Sequence, residues 1–143
     1  MIRIYRETKI NNNLISRIRY YTKKIVDYLC IKQDITIVFV SDEEIKKLNK
    51  KFFSKNNTTN VISFPINDKN YLGEIYISFD TAKKEAKEWK VSLIFEILYL
   101  IIHGILHLIG YDDLDPENEK IMEDKEIEIV KNLNLNRLRK SEN

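Results

Sequence analysis

Three features of the chain predict an α/β fold, a small mixed four-stranded sheet surrounded by helices. Four short segments, Met1 to Arg6, Asp34 to Val40, Val61 to Ile66 and Leu72 to Phe79, carry the spacing of strands. Between and after them run segments whose apolar residues recur every three or four positions, the helical period. The 143 residues suffice for one real core. No repeat, low-complexity tract or linker divides them, so residues 1–143 read as a single domain.

Met1-Ile2-Arg3-Ile4-Tyr5-Arg6 alternates apolar and polar side chains as a half-buried strand does. Asn11 to Ile31 follows with helical spacing and a basic side of Arg17, Arg19, Lys23 and Lys24. Asp34 to Val40 is the second strand. Ser41-Asp-Glu-Glu44 is a capping box, because the hydroxyl and the glutamate three residues on can each bond an orphan backbone amide. It opens a helix through about Phe52. The polar Ser54 to Thr59 reads as loop, and the strands Val61 to Ile66 and Leu72 to Phe79 flank an Asn-Asp-Lys-Asn turn region. Asp80 is the expected cap of a short helix ending near Trp89. The uncharged run Ile97 to Tyr111 reads as a central helix buried on most sides, stopped by Gly110. Asp115 and Pro116 then stand where an N-cap and first helical residue belong, opening a last amphipathic helix to about Leu135. The polar tail from Arg137 to Asn143 is expected to fray.

Charge and composition narrow the function. With Lys+Arg 24 against Asp+Glu 22 the net charge is only +2, so affinity for nucleic acid has to come from local clustering. The single Cys30 excludes an internal disulfide and a cysteine-rich zinc module, suits a reducing cytosol, and is expected to pack in the core. The N-terminus lacks the apolar stretch of a secretion signal. Glu96 interrupts the only segment resembling a membrane span, Val91 to Gly110, and the uncharged remainder is shorter than the ~20 residues a bilayer needs. A cytoplasmic protein without membrane contact is expected.

His103-Gly-Ile-Leu-His107-Leu-Ile-Gly110-Tyr-Asp-Asp113 is where the chemistry concentrates, since it holds both histidines of the chain. Residues i and i+4 of a helix share a face with Cβ atoms about 5–6 Å apart, so both imidazoles can grip one ion. A left-handed turn at Gly110 would fold Asp113 back towards them. Two nitrogens and a carboxylate leave a tetrahedral zinc one open position, where water is expected, and that openness separates a catalytic from a structural site. The spacing therefore points to one Zn²⁺ per chain on His103, His107 and Asp113, against the alternative of a hydrogen-bonded core pair. On the helix wheel Ser92 and Glu96 share the histidine face, but Glu96 lies roughly 10 Å below His103, too far to be a ligand. A structural or outer role remains for it, or a partly solvated helix end.

A histidine pair with a later third ligand also describes metallopeptidases, which need a glutamate directly after the first histidine as base to the zinc water. Here that position is Gly104, so peptide hydrolysis ranks well below other metal chemistry. A glycine inside a helix costs roughly 1 kcal/mol relative to alanine, which indicates that the backbone passes close to substrate or to a facing strand.

The segment from His103 to Asp113 resembles the HGxLHLxGYDH signature of the YbeY family of bacterial rRNA-maturation endoribonucleases. Leu48-Asn49, Thr59-Asn-Val-Ile-Ser-Phe-Pro65 and Leu72-Gly-Glu-Ile75 are similar to further blocks of that family in the same order, so the resemblance spans most of the chain. It departs at two positions. Asp113 stands where the family has a third histidine ligand, and Phe53 stands where it has an arginine thought to serve activity. Lys50, Lys51 and Lys55 are neighbours able to supply that charge.

The resemblance implies the same fold and a zinc-dependent, single-strand-specific endoribonuclease. Its implied role is in 16S rRNA 3′-end maturation and late-stage 70S ribosome quality control. The implied partners are single-stranded RNA, an rRNA precursor and the small ribosomal subunit, with no DNA. A ribosome-associated RNA-binding factor with a structural or weakened metal site is the alternative that the two departures keep open. Asn60 and Ser63 are candidates to line a substrate cleft, or merely polar residues of a buried strand. Asp112, in the family's aspartate position, is a candidate to orient a ligand from behind. The Arg17 to Lys24 face is a phosphate track or a solvated surface.

Overall fold

The computed structural model describes residues 1–54 and 59–140. Its elements are β1 (Ile2–Arg6), α1 (Asn12–Tyr28), β2 (Asp34–Val40), α2 (Asp42–Phe53), β3 (Val61–Pro65) and β4 (Tyr71–Ser78). They are followed by α3 (Phe79–Trp89), α4 (Leu93–Leu108), α5 (Pro116–Asn132) and a short 3₁₀ turn, Leu135–Leu138. The expected strands join one sheet in the order β1-β2-β4-β3. β2 pairs parallel with β1 and β4, and β3 runs antiparallel to β4, so the sheet is mixed and the fold α/β, as the sequence predicts. Parallel neighbours need long crossovers, and α1 supplies the one between β1 and β2.

The two-residue period of β2 divides the interior. Ile35, Ile37 and Phe39 join the large core with α1, α3, α4 and α5, while Val38 and Val40 meet Ile45 of α2 and Ile62 of β3. α4 runs through the large core: Ile97, Leu98, Ile101, Ile102, Ile105 and Leu106 are each fully inaccessible. Burying such side chains contributes about 1.5–3 kcal/mol apiece as an upper estimate, so the helix carrying the histidines is held rigidly. No single helix among the described residues is long and apolar enough to cross a membrane; α3 and α4 reach that composition only together, bent by 116°.

Three local expectations are corrected. Cys30 is exposed, not packed in the core, because it occupies the left-handed position (φ 57°) of the turn closing α1. There its amide bonds Asp27 O and the Ile31 amide bonds Val26 O. The cap of α3 is Ser78, whose hydroxyl accepts from the Thr81 amide at 3.2 Å; Asp80 lies inside the first turn. The tail is also fastened further than its polarity suggests. Arg137 donates to the Tyr21 hydroxyl at 3.1 Å, the Arg139 guanidinium covers the Phe95 ring, and the Ser92 amide donates to Arg139 O. Residues 141–143 lie outside the described residues.

Candidate metal centre

The C-terminal end of α4 builds the site. Gly110 adopts φ +107°, where its amide bonds His107 O at 3.1 Å and the Tyr111 amide bonds Leu106 O at 2.9 Å, a Schellman closure. The reversal carries Tyr111 O to 3.0 Å from His107 Nδ1 and brings Asp113 Oδ2 to 3.9 Å from Nε2 of both histidines. Ligand atoms of His103, His107 and Asp113 all lie within 4.8 Å of one another. Further back, a Cβ on Gly104 would come 2.8 Å from Ile75 Cγ2 and 3.2 Å from Ser63 Oγ. The missing side chain thus lets α4 pass close to the facing strands.

Hydrogen bonding orients both rings. His103 Nδ1 lies 2.6 Å from Glu126 Oε2, and a carboxylate only accepts, so Nδ1 carries the proton. His107 Nδ1 faces a carbonyl, with the same consequence. In the tautomer with its proton on Nδ1, each ring presents the lone pair of Nε2, and the two Nε2 atoms stand 3.1 Å apart. Two lone pairs and a carboxylate oxygen converge with no donor between them, which is repulsive until a cation sits there. The separations of 3.1, 3.9 and 3.9 Å bracket the ~3.4 Å edge of a tetrahedron with bonds of 2.0–2.1 Å. The donor set therefore fits a divalent metal, and imidazole with carboxylate suits zinc among others.

Glu126 is the functional residue that sequence reasoning missed. It sits on α5 with Met122, Ile129 and Val130, all buried, so an acid in an apolar stripe was the available signal. Its Oε1 also accepts from the Tyr99 hydroxyl at 3.2 Å. Asp112 instead accepts from the Leu114 amide at 3.2 Å and, among the described residues, bonds neither imidazole.

The remaining candidates separate in space. The Ser63 hydroxyl donates to Gly104 O at 3.0 Å, tying β3 to α4. Ser63 also lines a cleft of about 360 Å³ with Phe53, Asn49, Thr59 and His107. Phe53 is 47% exposed, stacks on Phe64 and lines this cleft, which reaches His107. Lys50 is exposed and Lys51 lies over the Phe52 ring; neither lines this cleft, and Lys55 falls outside the described residues. On α1, Arg19 donates to Ile2 O, Lys23 pairs with Asp27 and Lys24 covers Tyr20, which leaves Arg17 alone of that face among the described residues.

Asn60 points elsewhere. Its amide donates to both carboxylate oxygens of Glu85 at 3.3 Å. It lines a groove of about 630 Å³ running along α4 from His103 past Tyr99, Glu96 and Phe95 to Trp89. Glu96 is only 8% exposed, and its carboxyl is pushed up to about 7, by burial first and then by the charge and hydrogen bond of Glu85.

Comparison with known proteins decides the family: residues 2–134 match the family model described as Endoribonuclease YbeY. The chain belongs to the YbeY endoribonuclease family. Curated YbeY endoribonucleases similar to it include that of Nautilia profundicola, 47% identical over 75% of this chain and 77% of that protein. That of Syntrophus aciditrophicus is 35% identical over 87% and 82%. Among solved structures, the solution structure of TM1509 from Thermotoga maritima superposes with a TM-score of 0.68 at 34% identity, covering 91% of this chain and 87% of that one. As a YbeY endoribonuclease the chain is a hydrolase of RNA, with three side chains placed to hold a metal ion.

Proposed function

We propose that this YbeY protein is a zinc-dependent, single-strand-specific endoribonuclease binding one Zn²⁺ per chain through His103, His107 and Asp113. Its proposed substrate is an rRNA precursor of the small subunit, in cytoplasmic 16S 3′-end maturation and late 70S quality control. The observation that carries the reading is the pair of Nε2 atoms held 3.1 Å apart, with an acceptor behind each ring at Nδ1. A divalent ion supplies charge to a phosphoryl oxygen and lowers the pKa of water. The protein's part is to keep the ligands neutral and oriented: Glu126 holds the His103 proton at Nδ1, and Tyr111 O holds that of His107.

Single-strand preference is supported by the groove along α4. Tyr99, Phe95 and Trp89 line it from His103 outward, and Trp89 is 69% exposed. Aromatic faces accept unstacked bases, which a duplex keeps paired. Gly104 at the peptidase base position supports RNA over peptide as substrate. A second reading, an RNA-binding factor with a weakened metal site, is favoured by Phe53 lining the cleft where the family carries its arginine.

The test is metal-dependent cleavage. Protein purified without chelator should cut single-stranded RNA, spare duplex RNA and DNA of the same sequence, and lose activity with chelator or with His103→Ala. RNA binding without such cleavage would establish the second reading instead.

A further inference from the structure

Lysines on the helices of this protein are repeatedly matched by acids one turn away: Lys23 with Asp27 on α1, Lys47 with Glu43 on α2, Lys120 with Asp124 and Lys125 with Glu128 on α5. α3 breaks that habit. Lys83 and Lys87 lie about 40° apart at 100° per residue, Lys90 follows as the left-handed C-cap of the helix, and like charges at four-residue spacing destabilise a helix. Of the acids of α3, Glu85 and Glu88 lie on the other side, around a separate cavity with Lys84 and Asp42, while Asp80, in the first turn, accepts from the Asp42 amide at 3.3 Å and, among the described residues, makes no ion pair with these lysines. Lys83 lies over the Phe79 ring, which leaves its charge without a neutralising acid.

The stripe opens onto a groove of about 730 Å³ between α1, α3 and the start of α4, into which Arg17 also projects. Its lining holds four cations and no carboxylate. Among the described residues none of the four has a carboxylate within ion-pair distance. The three lysines are exposed, and none of the lining apolar residues is among the exposed large ones. The surface therefore suits a polyanion and lacks the apolar side chains a bilayer would receive. Val91 lines both this groove and the one that reaches His103, and from Leu93 to His103 is about 15 Å along the helix axis.

We propose that Arg17, Lys83, Lys87 and Lys90 form a second RNA-backbone site, holding the phosphates of the substrate strand several nucleotides away from the metal ligands. The inference rests on RNA being the substrate. It makes a substrate long enough to span both places bind more tightly than one that covers the metal centre alone, and it concentrates charge locally in a chain of net +2.

The experiment compares wild type with Lys83→Gln/Lys87→Gln/Lys90→Gln and with Lys83→Glu/Lys87→Glu. Binding is read by fluorescence anisotropy between about 50 and 200 mM salt, on a long single-stranded RNA and on an oligonucleotide too short to bridge the two places. Neutralising three phosphate contacts should flatten the log K against log salt slope by about 2 on the long RNA and weaken it about tenfold or more. Short-oligonucleotide cleavage should stay as in wild type, and the thermal midpoint should not fall, because removing like charges relieves their repulsion. An unchanged slope overturns the proposal, and so does an equal loss on the short oligonucleotide, which would place the lysines in the metal cleft. Lysine-dependent binding of phosphatidylserine vesicles in preference to RNA overturns it in favour of a membrane. A wild type that cleaves no RNA yet loses its salt slope in the glutamine variant would reject the nuclease reading and leave this site standing.

Discussion

Glu126 of α5 holds His103 of α4 by a 2.6 Å contact between Oε2 and Nδ1, across twenty-three residues of sequence. The contact places a buried negative charge behind a candidate ligand, which fixes the ring and makes its Nε2 a stronger donor to metal. Glu126→Gln preserves an acceptor but removes the charge, and Glu126→Ala removes both. Loss of an outer partner of this kind costs about 10–100-fold in metal affinity. Competition with a chromophoric chelator should give that loss for glutamine and a larger one for alanine; equal affinities across the series would show that the carboxylate does not tune the site.

Asp113 and Asp112 are adjacent in sequence and differ in placement. Asp113 Oδ2 faces both Nε2 atoms at 3.9 Å, whereas Asp112 serves the turn through the Leu114 amide. Asp113→Asn should therefore cut zinc stoichiometry after dialysis well below the value of about one per chain expected for wild type, and Asp112→Asn should leave it near that value. The ranking is read by elemental analysis of protein purified without affinity metal, and a reversed ranking would remove Asp113 from the ligand set.

Glu96 makes stability depend on pH in a direction that can be stated. Its folded-state carboxyl titrates at about 7 instead of 4.5, because burial and Glu85 disfavour its charged form. The stabilisation from holding that proton is fully present below the unfolded value near 4.5, and is lost as pH rises through about 7. Glu96→Gln keeps the volume and cannot ionise. Its thermal midpoint should exceed that of wild type by ~2–4 °C or more at pH 8, and the gap should close towards pH 5. Parallel melting curves across that range would mean that Glu96 stays charged in the fold.

How far the sequence could be read follows the range of the interactions. The His103, His107 and Asp113 arrangement was legible because helix repeat and glycine stop are local, and so were the strands and the Asp115 cap. Glu126 was hidden because the α4–α5 packing that brings it to His103 is tertiary. Ser63 lines the cleft as its strand position suggests, but the engagement of its hydroxyl by Gly104 O was hidden, a bond that exists only because Gly104 lets α4 approach β3. Cys30 was misplaced because composition favours burial of cysteine, whereas its left-handed turn turns it outward. The basic face of α1 dispersed once Asp27, Tyr20 and Ile2 O took three of its four cations.

Phe53 allows the family departure to be reversed. Its ring stacks on Phe64 at 5.9 Å between centroids and lines the same cleft as His107, so a cation at this position would face that cleft. Phe53→Arg gives up a stacked pair, about 0.5–1.5 kcal/mol, on a half-exposed surface, and the fold should tolerate it. A donor that meets charge developing in the transition state raises kcat, and removing such donors from other active sites costs about 10²–10³. A rise of roughly tenfold in kcat on single-stranded RNA, with KM little changed, is therefore expected of Phe53→Arg and not of Phe53→Gln. A fall in KM alone would assign the arginine to ground-state phosphate binding. No change in either would show that the cleft of this chain stabilises its transition state without a cation at this position.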